Sequence, residues 1–106
     1  MRLLVCGSRR PPPEVLAAVF PALDEWHRRR LITCIIEGEA QGIDRKARKW
    51  AEARGVPFEA YPVTTEEWEA WKAAGEPQPS PGTLRNGQML REGKPDAVLA
   101  FPGNAG

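Results

Sequence analysis

The chain has 106 residues, 15 of them Lys or Arg and 14 Asp or Glu, which suits one domain with a single modest core and is too short for two. A net charge so close to neutral argues against a broad basic face for sequence-independent DNA binding, while leaving room for a local basic site. No apolar run is long enough to span a membrane, and the N-terminus lacks the charged-then-apolar layout of a signal peptide, so a cytoplasmic protein is expected.

In chain order, short β-like runs alternate with helical patterns. Arg2 to Cys6 is an apolar run closed by Gly7-Ser8, as expected of a central strand covered on both faces. Pro12 and Pro13 suit a helix start. Between Glu14 and Arg30, the residues Val15, Leu16, Val19, Phe20, Leu23 and Trp26 recur at helical spacing and mark one buried face. Pro21 is expected to bend this helix, and Arg28 to Arg30 place cations at its negative end.

Leu31 to Ile36 is rich in β-branched residues and reads as a second buried strand ending near Gly38. Gly42 to Arg54 is a helix with Ile43, Ala47, Trp50 and Ala51 on one side, and Gly55 is a suitable stop. Its other side carries Arg45, Lys46, Arg48 and Lys49, the pattern of a solvated face. Val56 to Pro62 gives a weaker third strand. A short, mostly polar helix follows from Thr65 to near Gly75, carrying Trp68 and Trp71.

The segment Glu76 to Gly82 holds Pro77, Pro79 and Pro81 and reads as an extended, exposed loop. Thr83 to Glu92 is expected to be a helix capped by Thr83, with Leu84, Met89 and Leu90 as its apolar contacts. Ala97 to Phe101 is the fourth strand. Cys6 and Cys34 lie in separate apolar runs and read as reduced core residues. With His27 as the single histidine, neither a metal site nor a disulfide is expected.

This alternation implies a parallel sheet with right-handed crossovers. The expected fold is an α/β three-layer sandwich, Rossmann-like, with strand order 3-2-1-4. Strand order reverses between the first and fourth strands, and ligands in such sheets sit beyond the strand ends at that point. Three strands end in glycine-containing turns on that same rim: Gly7-Ser8-Arg9-Arg10, Gly38 to Asp44, and Phe101 to Gly106. Glycine allows a backbone to approach a ligand closely, and exposed amides at a helix start suit phosphate or carboxylate.

Ser8 and Arg9 add a hydroxyl and a guanidinium there, a pairing suited to phosphate or ribose. Asp44, in a first helical turn, has two available roles: steadying the helix start, or holding a ribose hydroxyl. Arg85 and Asn86, with Met89 one turn on, begin a helix whose N-terminus can approach the rim. Trp26 and Trp50 belong to the core pattern, whereas Trp68 and Trp71 leave two readings open, core packing or an aromatic lid over a base.

Four ordered motifs, Gly7-Ser8-Arg9, Gly38-Glu39-Ala40-Gln41-Gly42-Ile43-Asp44, Arg85-Asn86-Gly87-Gln88-Met89 and Asp96 to Gly103, resemble the YspA-like branch of the SLOG superfamily, known from bacteria and phages. The superfamily also includes the LOG-type phosphoribohydrolases and the Rossmann-like domain of DNA-processing protein A. The resemblance implies a Rossmann-like domain that binds nucleotides or their derivatives at the strand ends. It further implies that Gly7, Ser8, Arg9, Gly38, Asp44, Arg85, Asn86, Pro102 and Gly103 contact the ligand. Glu39, Gly42 and Met89 complete the candidate set.

LOG-type enzymes continue past the proline-glycine loop through Gly-Thr into a helix with a catalytic Glu. Here the sequence stops at Gly106, so that Glu has no counterpart, and the expected fold lacks the last helix and strand. One side of the fourth strand would then be left apolar and open, which fits either a chain shortened from a longer protein or one that covers the strand by forming a homo-oligomer.

Three functions follow. The preferred one is a nucleotide-binding or sensing domain needing no cofactor. The second is a nucleoside-monophosphate phosphoribohydrolase, for which Glu39 is the best catalytic candidate because hydrolysis needs a carboxylate near the glycosidic bond. The third is single-stranded DNA binding through the Arg45, Lys46, Arg48 and Lys49 face, which the near-neutral charge disfavours.

Overall fold

The computed structural model describes residues 1–102. Its elements are β1 (Arg2–Cys6), α1 (Pro13–Arg29), β2 (Cys34–Glu37), α2 (Ile43–Arg54), β3 (Phe58–Ala60), α3 (Thr65–Ala73), α4 (Pro81–Gly93) and β4 (Ala97–Ala100). The four strands form one parallel sheet in the order β3-β2-β1-β4, the α/β Rossmann-like arrangement expected from the alternation. Among the described residues, no helix is long and apolar enough to cross a membrane.

The layers are unequal. Alternation along β1 and β2 sends Leu3, Val5 and Ile35 to one face, where they meet Val19 and Leu23 of α1 and Ile43, Ala47, Trp50 and Ala51 of α2 in the main core. Leu4, Cys34 and Ile36 point the other way and meet Met89 of α4 in a much smaller cluster. Gly93 lets the end of α4 lie directly on Ile36, since a Cβ there would stand 3.2 Å from its Cδ1 and Cγ2. β4 lies beyond this cover. Val98, opposite Leu4 in register, is 51% exposed.

Several local expectations are corrected. The helix after the proline-rich stretch begins earlier than Thr83: Ser80 is its N-cap, accepting the Thr83 amide, and Pro81 occupies the first turn, where its missing N–H costs nothing. Leu84 and Leu90 are exposed rather than packed, and Met89 is the residue that faces the sheet. β3 is shorter than its apolar run. Cys6 and Cys34 are free thiols, the first half-buried and the second buried.

At the amino-terminal edge of the sheet, Arg2 ties β1 to α4, to β3 and to the turn before β4. Its amide donates to Asp96 Oδ2 at 2.7 Å, its Nε to the Gly93 carbonyl at 2.8 Å and its Nη2 to Glu59 Oε2 at 2.8 Å. That edge is closed by hydrogen bonds, which leaves the opposite rim for the loops that follow β1, β2 and β3.

Candidate functional site

The rim is organised by the loop from Gly38 to Gly42. Asp44, in the first turn of α2 and 3% exposed, turns back so that its Oδ2 accepts the amides of Gly38 at 3.2 Å and Ala40 at 3.4 Å. Beneath the same loop, the fully buried Glu37 accepts the Glu39 amide through Oε2. Each carboxylate therefore spends one oxygen on the loop backbone. The other oxygens, Glu37 Oε1 and Asp44 Oδ1, are buried without a partner among the described residues.

Burial pushes the Glu37 carboxyl up to about 7, aided by the charges of Asp44 and Glu39 and opposed by the Glu39 amide and by Arg48. Burial also raises Asp44, while Arg85, the Ala40 and Gly38 amides and Arg9 pull it down. The half-buried Cys6 thiol is raised by burial and by the Asp44 charge, against the pull of Arg85.

Gly38 is where β2 and α4 meet. Its carbonyl accepts Arg85 Nη1 at 2.6 Å, and a Cβ at this position would collide with the guanidinium. Asn86 holds the other side of that group, accepting Arg85 Nε through Oδ1 at 3.0 Å. Gly42 enters α2 with φ +82°, and a Cβ there would stand 2.6 Å from the Ser8 carbonyl oxygen and 2.8 Å from that of Arg9. The first two loops are thus interlocked. The Ser8 hydroxyl accepts the Arg10 amide at 3.1 Å, which steadies the turn that aims Arg9.

Between these loops lies a cavity of about 170 Å³ lined by Arg9, Gly38, Glu39, Ala40, Arg45, Pro62, Val63, Trp68 and Arg85. Three arginines line it. Arg85 is held by the neutral Gly38 carbonyl and Asn86, and none of the three forms an ion pair among the described residues. The acid on the lining, Glu39, is ion-paired to Arg48 of α2. A small open space lined by uncompensated arginines suits phosphate, which arginine grips with charge-assisted and often paired hydrogen bonds. A larger open groove of about 670 Å³ continues between α3 and α4, sharing Pro62 and Arg85 with the cavity.

Of the residues singled out in the sequence, the cavity gathers Arg9, Gly38, Glu39, Trp68 and Arg85. Asp44 and Asn86 stand behind them as hydrogen-bond partners. Gly7 lies against Ile43, and Gly42 faces a neighbouring shallow pocket with Gln41 and Arg45. Met89 packs in the small core, and Pro102 is exposed beyond β4. Gly103 lies outside the described residues.

Arg45, Pro62 and Val63 were not foreseen on the lining. A signal existed for the last two. A parallel sheet puts the end of β3 on the same rim, but no glycine flags that turn.

The family described as YspA, cpYpsA-related SLOG (YAcAr) matches residues 1–68. The match takes in the loops after β1 and β2 and reaches Trp68, stopping short of α4 and β4. The chain is also similar to the Gene 61 protein of Mycobacterium phage D29, with 37% identity over 108 residues, covering 95% of this chain and 76% of the phage protein. No solved structure matches. With more than half of its length matched by that family and most of it by the phage relative, the chain belongs to the YspA, cpYpsA-related SLOG family.

Proposed function

We propose that this protein is a nucleotide or nucleotide-derivative binding and sensing domain, with the ligand's phosphate in the cavity at the carboxyl ends of β1 and β2. The observation that carries this reading is the convergence of Arg9, Arg45 and Arg85 on one small space. Membership of a SLOG family supports it.

Binding fits better than hydrolysis. Glu39 is engaged by Arg48, while Glu37 and Asp44 are buried and hold the loop. Among the described residues, the lining therefore offers no unengaged carboxylate to activate water or stabilise a glycosyl cation.

Calorimetric titration with a panel of nucleotides, followed by mass spectrometry of the mixtures for released base, tests this. Binding without release is expected, and Arg45→Ala should weaken it about tenfold by removing a charged hydrogen-bond donor. Release of free base would replace this reading with the phosphoribohydrolase, and binding that Arg45→Ala leaves unchanged would remove the phosphate from this cavity.

A further inference from the structure

The cation over Trp68 is a second feature of the cavity wall. The Arg9 guanidinium carbon lies 4.9 Å from the centre of the Trp68 ring. Trp68 is half-buried: its neighbour Trp71 meets it edge to face at 5.5 Å between centres, and its six-membered ring lies against Gly82 at the start of α4. The indole is thus steadied on two sides while Arg9 covers a face. α3 itself contributes no buried residue to the core, so the placement of Trp68 does little to hold the fold together.

We propose that Arg9 and Trp68 form an exchange pair. A terminal phosphate draws Arg9 off the indole to grip the anion alongside Arg45, and a planar base takes the guanidinium's place on the ring. This rests on the binding reading above and specifies its ligand as a phosphomonoester attached to an aromatic base. A half-exposed cation–π contact is weaker than a paired guanidinium–phosphate contact, so the exchange runs in the ligand's favour.

Charge and size agree with this. Arg9, Arg45 and Arg85 all line the cavity without acid partners among the described residues, an excess of positive charge that favours a phosphomonoester dianion over the single charge of a phosphodiester. The cavity, about 170 Å³, is smaller than pockets that enclose a whole drug-sized ligand. It has room for a phosphate and a sugar, which leaves the base at the wall, where Trp68 stands.

Titration of the full chain with inorganic phosphate, ribose 5-phosphate and adenosine 5′-monophosphate separates the parts. Adenosine 5′-monophosphate should bind about tenfold tighter than ribose 5-phosphate, the scale of one base stacked on an aromatic side chain. Trp68→Leu should erase that difference and leave ribose 5-phosphate bound as tightly or up to a few-fold tighter, since Arg9 no longer has a ring to leave, while Trp68→Phe keeps most of the difference. Equal affinity of the two compounds for the native chain overturns the exchange pair but leaves an anion site in place. Equal weakening of both by Trp68→Leu overturns it too, because it assigns Trp68 a purely structural role. If none of the three binds at millimolar concentration, the binding reading and the exchange pair fall together.

Discussion

Glu37 shows how a single side chain ties this rim to stability. It is fully buried, one carboxylate oxygen has no partner among the described residues, and its carboxyl is pushed from 4.5 up to about 7. Between those values, the unfolded chain has released the proton and the folded chain still holds it. Stability therefore falls as pH rises through that window and levels off above it, by about 3 kcal/mol in all. Asp24 behaves oppositely. Arg54 and the Trp50 N–H hold it down to about 2, so its contribution is lost only as pH falls below its free value of 3.8. In Glu37→Gln, urea denaturation should show no decline between pH 5 and 8, and the variant should exceed the native chain at pH 8. A decline that persists would assign the effect to another group. The sequence displays Glu37 as an acid near a glycine turn, yet not its burial, which follows from β2 carrying it beneath the first turn of α2.

At the scale of elements, the two glycines that bracket α2 make different demands. Gly42 combines φ +82° and ψ −121° with contact on the carbonyls of Ser8 and Arg9. Gly55 ends the helix at φ +68° and ψ 27° with open space around it, its amide reaching back to Ala51 and Glu52. Gly55→Ala should cost about 1 kcal/mol, the ordinary penalty of a left-handed non-glycine residue. Gly42→Ala combines that strain with collision against backbone, and should cost about 3 kcal/mol and weaken ligand binding by parting the first two loops. Thermal denaturation of the two variants side by side checks the order, and an equal loss would show that the loops yield easily. The stop at Gly55 is legible in the sequence. The start of α4 is also written there, as Ser80 followed by Pro81, but it is masked by the prolines before it. Proline opens a helix as readily as it marks a loop, and composition alone does not separate the two.

Across the whole molecule, the two faces of the sheet are held with unequal strength. One carries a core that includes Trp50, Leu23 and Ile35, and the other rests on Leu4, Cys34, Ile36 and Met89. Segments with few buried apolar contacts open first. Hydrogen exchange should therefore find α3 and α4 the least protected helices, with α2, β1 and β2 the most. Met89→Ala should cost about 3 kcal/mol and speed exchange in α4 well before α1. Uniform loss of protection would show instead that the molecule unfolds as one unit.

The sequence by itself determined the strand order, the parallel sheet and the rim where loops carry glycine. Those depend on local periodicity and on the handedness of crossovers, which neighbouring residues encode. Only the tertiary structure decided which rim residues face a common space. Arg85 meets the Gly38 carbonyl from 47 positions away, Arg9 lies over Trp68, and Arg45, exposed on its helix as expected, also lines the cavity. Such contacts are set by how helices of particular lengths dock on a twisted sheet. No window of the sequence contains both partners, so the chain's pattern shows the rim and only its packing shows the site.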